Sequence, residues 1–255
     1  MTIYYSICFF ILGMVLGSFY NVVGSRIPNG ESILYPGSHC TNCNHKLMPW
    51  ELIPVISFFL LRGKCSSCKQ KISWVYPLFE LFSGLLFMIA FLIFGLSLEL
   101  IISLTFISLI LIITISDFQY MIIPDSIIIF FFLLISVEIF FIRGSNSLLY
   151  GLFSALISFI VMFLIKKLGD FLFKKESMGG GDIKLLSIFG LTLGWPIALI
   201  SIFVGALVGL PIALIICIKH NNHILPFGPL LGIGAIILLF TRIDIKQILD
   251  FFTIF

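Results

Sequence analysis

Charge is scarce in this chain. Asp, Glu, Lys and Arg supply 11% of its 255 residues, apolar types supply 60%, and the mean hydropathy is +1.20. A soluble domain carries about a quarter charged residues, so a water-exposed globule is excluded. The net charge of +3 is small, and basic and aromatic residues do not interleave in any polar stretch, which argues against a nucleic-acid partner. Also lacking are a basic stretch ahead of the first apolar segment and a small-x-small cleavage site behind it. That segment is therefore expected to stay as a helix rather than leave as a signal peptide. Long polar segments are missing too, with one exception at residues 26–75.

What the chain has in abundance is apolar runs of membrane-crossing length. Spans of about 20 residues each predict an all-α polytopic membrane protein with about eight transmembrane helices, at 4–25, 76–94, 98–116, 126–141, 148–165, 183–193, 197–218 and 226–240. The sixth is short, and Gly194-Trp195-Pro196 stands between it and the seventh, so one broken helix is an open alternative there. Residues 243–255 mix Asp244, Lys246, Gln247 and Asp250 with Ile, Leu and Phe, a pattern suited to a short interfacial helix. The domain division that follows is a first helix (1–25), a polar loop domain (26–75) and a membrane-embedded remainder (76–255).

Basic residues are unevenly placed. Arg26, Lys46, Arg62, Lys64, Lys69, Lys71, Lys166, Lys167, Lys174, Lys175, Lys184 and Lys219 fall on one side of an eight-span array, and Arg143, Arg242 and Lys246 on the other. The positive-inside rule then places the N-terminus outside and the 26–75 loop in the cytoplasm.

That loop holds four of the six cysteines, as Cys40-Thr-Asn-Cys43 and Cys65-Ser-Ser-Cys68, separated by 21 residues. Two C-x2-C knuckles can complete a tetrahedral four-sulfur site for a structural zinc ion, closed to substrate because protein fills every position. Disulfides are the competing reading, and a reducing cytoplasm disfavours them. His39 and His45 flank the first knuckle as possible substitute ligands or plain neighbours. Cys8 and Cys217 lie in apolar runs and read as packing residues.

Two of the twelve acids stand at helix ends. Asp117 closes the third predicted span, ahead of Pro124-Asp125, and Asp182 opens the sixth after Gly179-Gly180-Gly181. Ionisable groups near membrane depth are costly unless paired or functional. Two carboxyls brought close share a proton and can activate a water, while the glycines would let a substrate strand approach. The bland alternative makes Asp182 a helix cap and Asp117 a solvated end residue.

Taken together the motifs resemble the type IV prepilin peptidases, also called prepilin leader peptidase/N-methyltransferases. Gly17-Ser18-Phe19-Tyr20-Asn21-Val22 with Arg26 and Pro28, the two knuckles, Tyr76-Pro77-Leu78-Phe79-Glu80, Asp117 seven residues before Pro124, Gly179-Gly180-Gly181-Asp182-Ile183-Lys184-Leu185 and Leu225-Pro226-Phe227-Gly228-Pro229 occur in the family's order. The resemblance implies an aspartyl endopeptidase of the bacterial cytoplasmic membrane. It implies that Asp117 and Asp182 cleave the short basic leader of prepilins or pseudopilins after a glycine. It also implies S-adenosylmethionine-dependent N-methylation in many members, and a place in pilus assembly, protein secretion or competence. One departure is Val75, where many members carry Arg. No glycine-rich nucleotide motif follows a strand to hold S-adenosylmethionine.

Other residues carry more modest expectations. Asn21, Arg26 and Glu80 are candidates for touching substrate or the loop, with helix-end bonding or a snorkelling carboxylate as alternatives. Lys184 belongs to the motif around Asp182. Asp125 is expected to cap the fourth predicted helix and Glu138 to reach the membrane interface. Gly13-x3-Gly17 and Gly205-x3-Gly209 are expected to allow close helix packing. Two competing functions use the same features: an ion-coupled transporter built on Asp117 and Asp182, and a non-catalytic assembly protein that docks through its cysteine module.

Overall fold

The computed structural model describes residues 1–176, 178–219 and 226–242, with backbone only for 212–219. The expected interfacial helix at 243–255, Leu225 and the Cys217 side chain lie outside the described residues. Nine α-helices are described: α1 (Thr2–Arg26), α2 (Ile56–Leu60), α3 (Val75–Phe94), α4 (Leu98–Tyr120), α5 (Asp125–Arg143), α6 (Ser145–Phe173), α7 (Gly180–Leu193), α8 (Trp195–Lys219) and α9 (Phe227–Thr241). They divide into two compact units, Met1–Leu100 and Ile101–Phe255.

The architecture is the helical one expected, with five helices (α1, α3, α4, α5 and α6) long and apolar enough to cross a membrane. Segments Trp195–Pro211 and Phe227–Thr241 are shorter apolar helices. At 14 residues, α7 falls short of the length of about 20 that a full crossing needs. Burial compensates for that shortness: Leu185, Leu186, Ile188 and Phe189 are fully enclosed, because α7 packs against α5, α6, α8 and α9.

Boundaries differ from the sequence reading where side chains can snorkel or a turn residue was missed. Helix α6 runs on to Phe173 past Lys166 and Lys167, since Lys167 lays its ammonium over the Phe163 ring, 5.1 Å from the centroid. Helix α4 continues to Tyr120 and stops where Met121 turns left-handed (φ 55°). Helices α7 and α8 are separate, divided at Gly194, whose φ of +86° an L side chain resists.

Small residues set the helix spacings. In the first unit, Gly13 and Gly17 of α1 lie against Ser83, Gly84 and Phe87 of α3, so close that an added Cβ on Gly13 would stand 2.7 Å from the Ser83 carbonyl. Phe9 and Phe91 stack beside them with centroids 5.0 Å apart. In the second unit, Gly190 fits against Ser154 and Ser158 of α6, and Gly205 and Gly209 of α8 against Leu230 of α9. Both small-xxx-small pairs thus act as packing seams, as the sequence predicted. Van der Waals contact of this kind replaces the hydrophobic effect as the force between helices in lipid.

Candidate active site and cysteine module

The alternating direction of α4, α5, α7 and α9 brings the C-terminus of α4 and the N-termini of the other three to one end of the second unit. Asp117 sits in the last turn of α4 and Asp182 in the first turn of α7. Both are buried, at 6% and 8% exposure. The N-terminal cap of α7 is Gly179, so Asp182 is not the cap; it lies three residues on and receives the Gly179 N–H.

Two glycines and one isoleucine hold the acids together. Gly228, at the start of α9, donates its N–H to Asp117 Oδ2 over 3.0 Å. A Cβ on Gly228 would lie 2.9 Å from that oxygen and 3.3 Å from Ile123 Cδ1. The same Ile123 side chain presses on the other acid's neighbour, for a Cβ on Gly181 would meet Ile123 Cβ at 2.6 Å. The glycine next to Asp182 and the glycine bonded to Asp117 thus press on one isoleucine, and the two acids lie near enough for the charge of Asp117 to act on Asp182. No protein donor among the described residues reaches Asp182 Oδ1. The loop carrying Ile123 is fixed by Ser116 Oγ, which donates to the Ile122 carbonyl over 2.5 Å. It is fixed again where Lys184 Nζ meets Asp125 Oδ1 at 2.6 Å.

That last pair corrects one expectation, and a bond between α4 and α5 corrects another. Asp125 makes no cap bond, because Pro124 holds the N-cap position; its carboxylate is committed to Lys184. Glu138 does not reach for the membrane interface. It turns inward, accepting the Thr105 hydroxyl on Oε1 at 2.7 Å while Oε2 is buried without a donor. Gly179 and Gly180 start α7 with room around Gly180, and only Gly181 is pressed by a neighbour.

In the first unit the other candidates serve the polar loop. Glu80, buried in α3, accepts the Val55 N–H over 2.8 Å and the Ser18 hydroxyl, so it ties the loop to α1 and is not a snorkelling side chain. Arg26 donates to the carbonyls of Ser32 (3.1 Å), Pro36 (2.7 Å) and Gly37 (3.5 Å), gathering the loop at the end of α1. Asn21 is buried and bonds back to the Gly17 carbonyl, the helix-internal alternative.

The four loop cysteines converge. Their sulfurs all lie within 4.8 Å of one another, with Cys40 to Cys68 at 3.8 Å and Cys43 to Cys65 at 3.9 Å. A disulfide needs about 2.05 Å, so these are four free cysteines grouped closely enough that they could hold one metal ion. The knuckles match in backbone as well: Asn44 and Lys69, each one residue past the second cysteine, are left-handed at φ 56° and 60°. Cys40 and Cys65 receive nothing from the histidines; His39 Nδ1 faces the Gly37 carbonyl and His45 Nε2 faces Glu51.

Backbone donors prepare the thiols. The Cys43 N–H, then that of Asn42, draws Cys40 below its ordinary value. The Gln70 N–H and the Asn42 amide draw Cys68 down to about 6. Cys43 receives the His45 N–H, which lowers it, yet burial and the three neighbouring sulfurs prevail and push it up to about 11. Four thiolates so close repel, and a cation relieves that repulsion.

Such a chain combines helices long and apolar enough to cross a membrane, a four-cysteine loop and two buried aspartates at one end of the second unit. Residues 11–94 match the bacterial peptidase A24 N-terminal domain and residues 104–214 the type IV leader peptidase family. A prepilin leader peptidase/N-methyltransferase of Bacillus subtilis is 38% identical over 232 residues, covering 89% of this chain and 91% of its own length. One from Neisseria gonorrhoeae is 32% identical, covering 92% and 89%, and one from Pseudomonas aeruginosa 31% identical, covering 90% and 88%. No solved structure matches. The chain belongs to the type IV leader peptidase family.

Proposed function

We propose that this chain is an aspartyl endopeptidase that removes the leader from type IV prepilins or pseudopilins, with Asp117 and Asp182 as its catalytic pair. The observation that carries the reading is that two buried aspartates far apart in the chain are brought to one loop residue, Ile123, which is pressed both by Gly181 beside Asp182 and by Gly228, the donor to Asp117. Asp117, whose Oδ2 accepts an N–H from Gly228, is assigned the role of base, and its neighbour keeps a proton because two close carboxyls resist ionising together. Asp182, with Oδ1 lacking a donor, carries the shared proton. A water between them gives its proton to Asp117 as its oxygen attacks the scissile carbonyl carbon. Asp182 protonates the carbonyl oxygen, and collapse of the tetrahedral adduct returns a proton to the departing amine.

Several further assignments go with this reading. Zinc is the metal of the cysteine module, since an ion about 2.3 Å from four sulfurs requires sulfurs about 3.8 Å apart, the spacing of the two close pairs. It staples the loop and takes no part in hydrolysis. The placement of basic residues supports a cytoplasmic loop and an external N-terminus. The relatives' names support a methyltransferase activity, but among the described residues no strand exists to build a nucleoside-binding turn, and no residue is assigned to S-adenosylmethionine. A transporter reading gains nothing from a pair of acids at a helix-bundle end rather than at mid-membrane.

The test is turnover of a prepilin with a short basic leader by the full chain in lipid nanodiscs. Asp117→Asn and Asp182→Asn should each lower kcat by about a thousandfold or more with bound metal unchanged. Parent-level cleavage by either variant would overturn the assignment.

A further inference from the structure

The polar loop carries a feature that neither peptide hydrolysis nor metal binding uses. Between α2 and the start of α3 lies a cleft of about 410 Å³ lined by Phe58, Phe59, Arg62, Gly63, Lys64, Lys71, Ile72 and Trp74. Its floor is aromatic: Trp74 packs on Phe58 with centroids 4.6 Å apart and meets Phe59 at 6.0 Å. Its rim is cationic. Arg62, Lys64 and Lys71 are all exposed, and among the described residues none of the three forms an ion pair.

The backbone holds this arrangement firmly. Gly63 (φ 64°) follows Arg62 (φ 54°) in a left-handed turn, and its lack of a side chain admits the Phe58 ring, which a Cβ would meet at 3.0 Å. Lys64 and Lys71 face one another across an antiparallel bridge, closed by the Ile72 N–H on the Gly63 carbonyl at 2.8 Å. The cations are thus set around the cleft by the same turn that presents Cys65.

The lining has no acid, so a cationic ligand, whether a sulfonium or a basic peptide, is repelled. An anion is favoured, and the apolar surroundings say which kind. Phe59 and Trp74 of the lining are exposed, as are Ile56 and Leu60 of α2 and Val75 next to Trp74, all large hydrophobic residues. Trp74 is the N-cap of α3, and Val75–Phe94 is a candidate membrane span. The patch therefore stands within one residue of where the chain enters the bilayer, the level at which tryptophan settles and basic side chains meet phosphates.

We propose that this cleft seats the headgroup of an anionic phospholipid, with Arg62, Lys64 and Lys71 on the phosphate and Phe59, Leu60 and Trp74 against the upper acyl chain. The loop is thereby held down on the membrane surface. The proposal does not depend on the peptidase reading.

The test uses the full chain with Trp50→Phe and Trp195→Phe, leaving Trp74 as the sole tryptophan, in nanodiscs doped with brominated phosphatidylglycerol or brominated phosphatidylcholine at equal mole fraction. Trp74 emission should report an enrichment of the anionic lipid of at least roughly fivefold, the size expected from a single one of the three cations. Arg62→Gln/Lys64→Gln/Lys71→Gln should remove that preference with metal content intact, and Lys64→Gln alone should lower it. Equal quenching by the two lipids in the parent, or an undiminished preference in both variants, overturns the proposal. Loss of the preference on adding millimolar inorganic phosphate at constant ionic strength also overturns it, by assigning the cleft to free phosphate.

Discussion

Gly228 and Gly181 are small residues with large consequences for the acids beside them. A methyl group on Gly228 would press on Asp117 Oδ2 at 2.9 Å, and one on Gly181 would collide with Ile123 at 2.6 Å. Displacement of a catalytic group by about 1 Å costs roughly a hundredfold in rate. Gly228→Ala is therefore expected to lower kcat on a prepilin by about that factor while KM changes little, as steady-state kinetics would show. Lys184, by contrast, is partly exposed and its partner Asp125 more so, so the pair contributes at most about 1 kcal/mol. A double-mutant cycle with Lys184→Met and Asp125→Asn should find a coupling of that size or less in thermal unfolding. The sequence displays Asp117, Asp182 and their glycines through motif order, but gives no sign that Gly228 reaches Asp117 across 111 positions, because nothing local encodes that contact. Glu138 and Asp125 were misread for a related reason. Each looked like an end residue on its own helix, and its partner sits on another.

At the level of whole helices, the packing seams carry the most exposed risk. Helix α1 meets α3 through Gly13 and Gly17, where a Cβ on Gly17 would lie 2.7 Å from Ser83 Oγ. Overpacking of that kind costs about 1–3 kcal/mol. Gly17→Leu should accordingly lower the unfolding temperature in detergent, measured by loss of helical circular dichroism, and Ser83→Gly in the same chain should recover part of it. The long helices were legible as apolar runs and their small-residue spacing was legible as a seam. Helix ends were less so. Tyr120 extends α4 because the stop is Met121 in a left-handed turn, a residue that carries no turn signature. Phe173 extends α6 because lysine stems can lie along an apolar helix face. Helix α2 was invisible, being five residues inside a loop whose order comes from the cysteines.

For the molecule as a whole, the cysteine module and the acid pair make separable predictions. The purified chain should hold one zinc per protein by elemental analysis, and Cys65→Ser should lose it. Acid should also loosen the loop before the helices. The Ser66 hydroxyl, the Met48 N–H and His45 hold the Glu51 carboxyl below its ordinary value of 4.5. The stabilisation is thus fully present above about that pH and is lost as the pH falls through the lower folded value. Glu51→Gln should flatten that acid dependence, followed by protease sensitivity of the loop. The central claim, that Asp117 and Asp182 work as one unit, is tested most directly by comparing both single Asn variants with the double variant in prepilin cleavage. Groups that act together lose their whole effect at the first deletion, so all three variants should show the same residual rate. A double variant slower than either single by the product of their separate losses would show two independent residues and contradict the account.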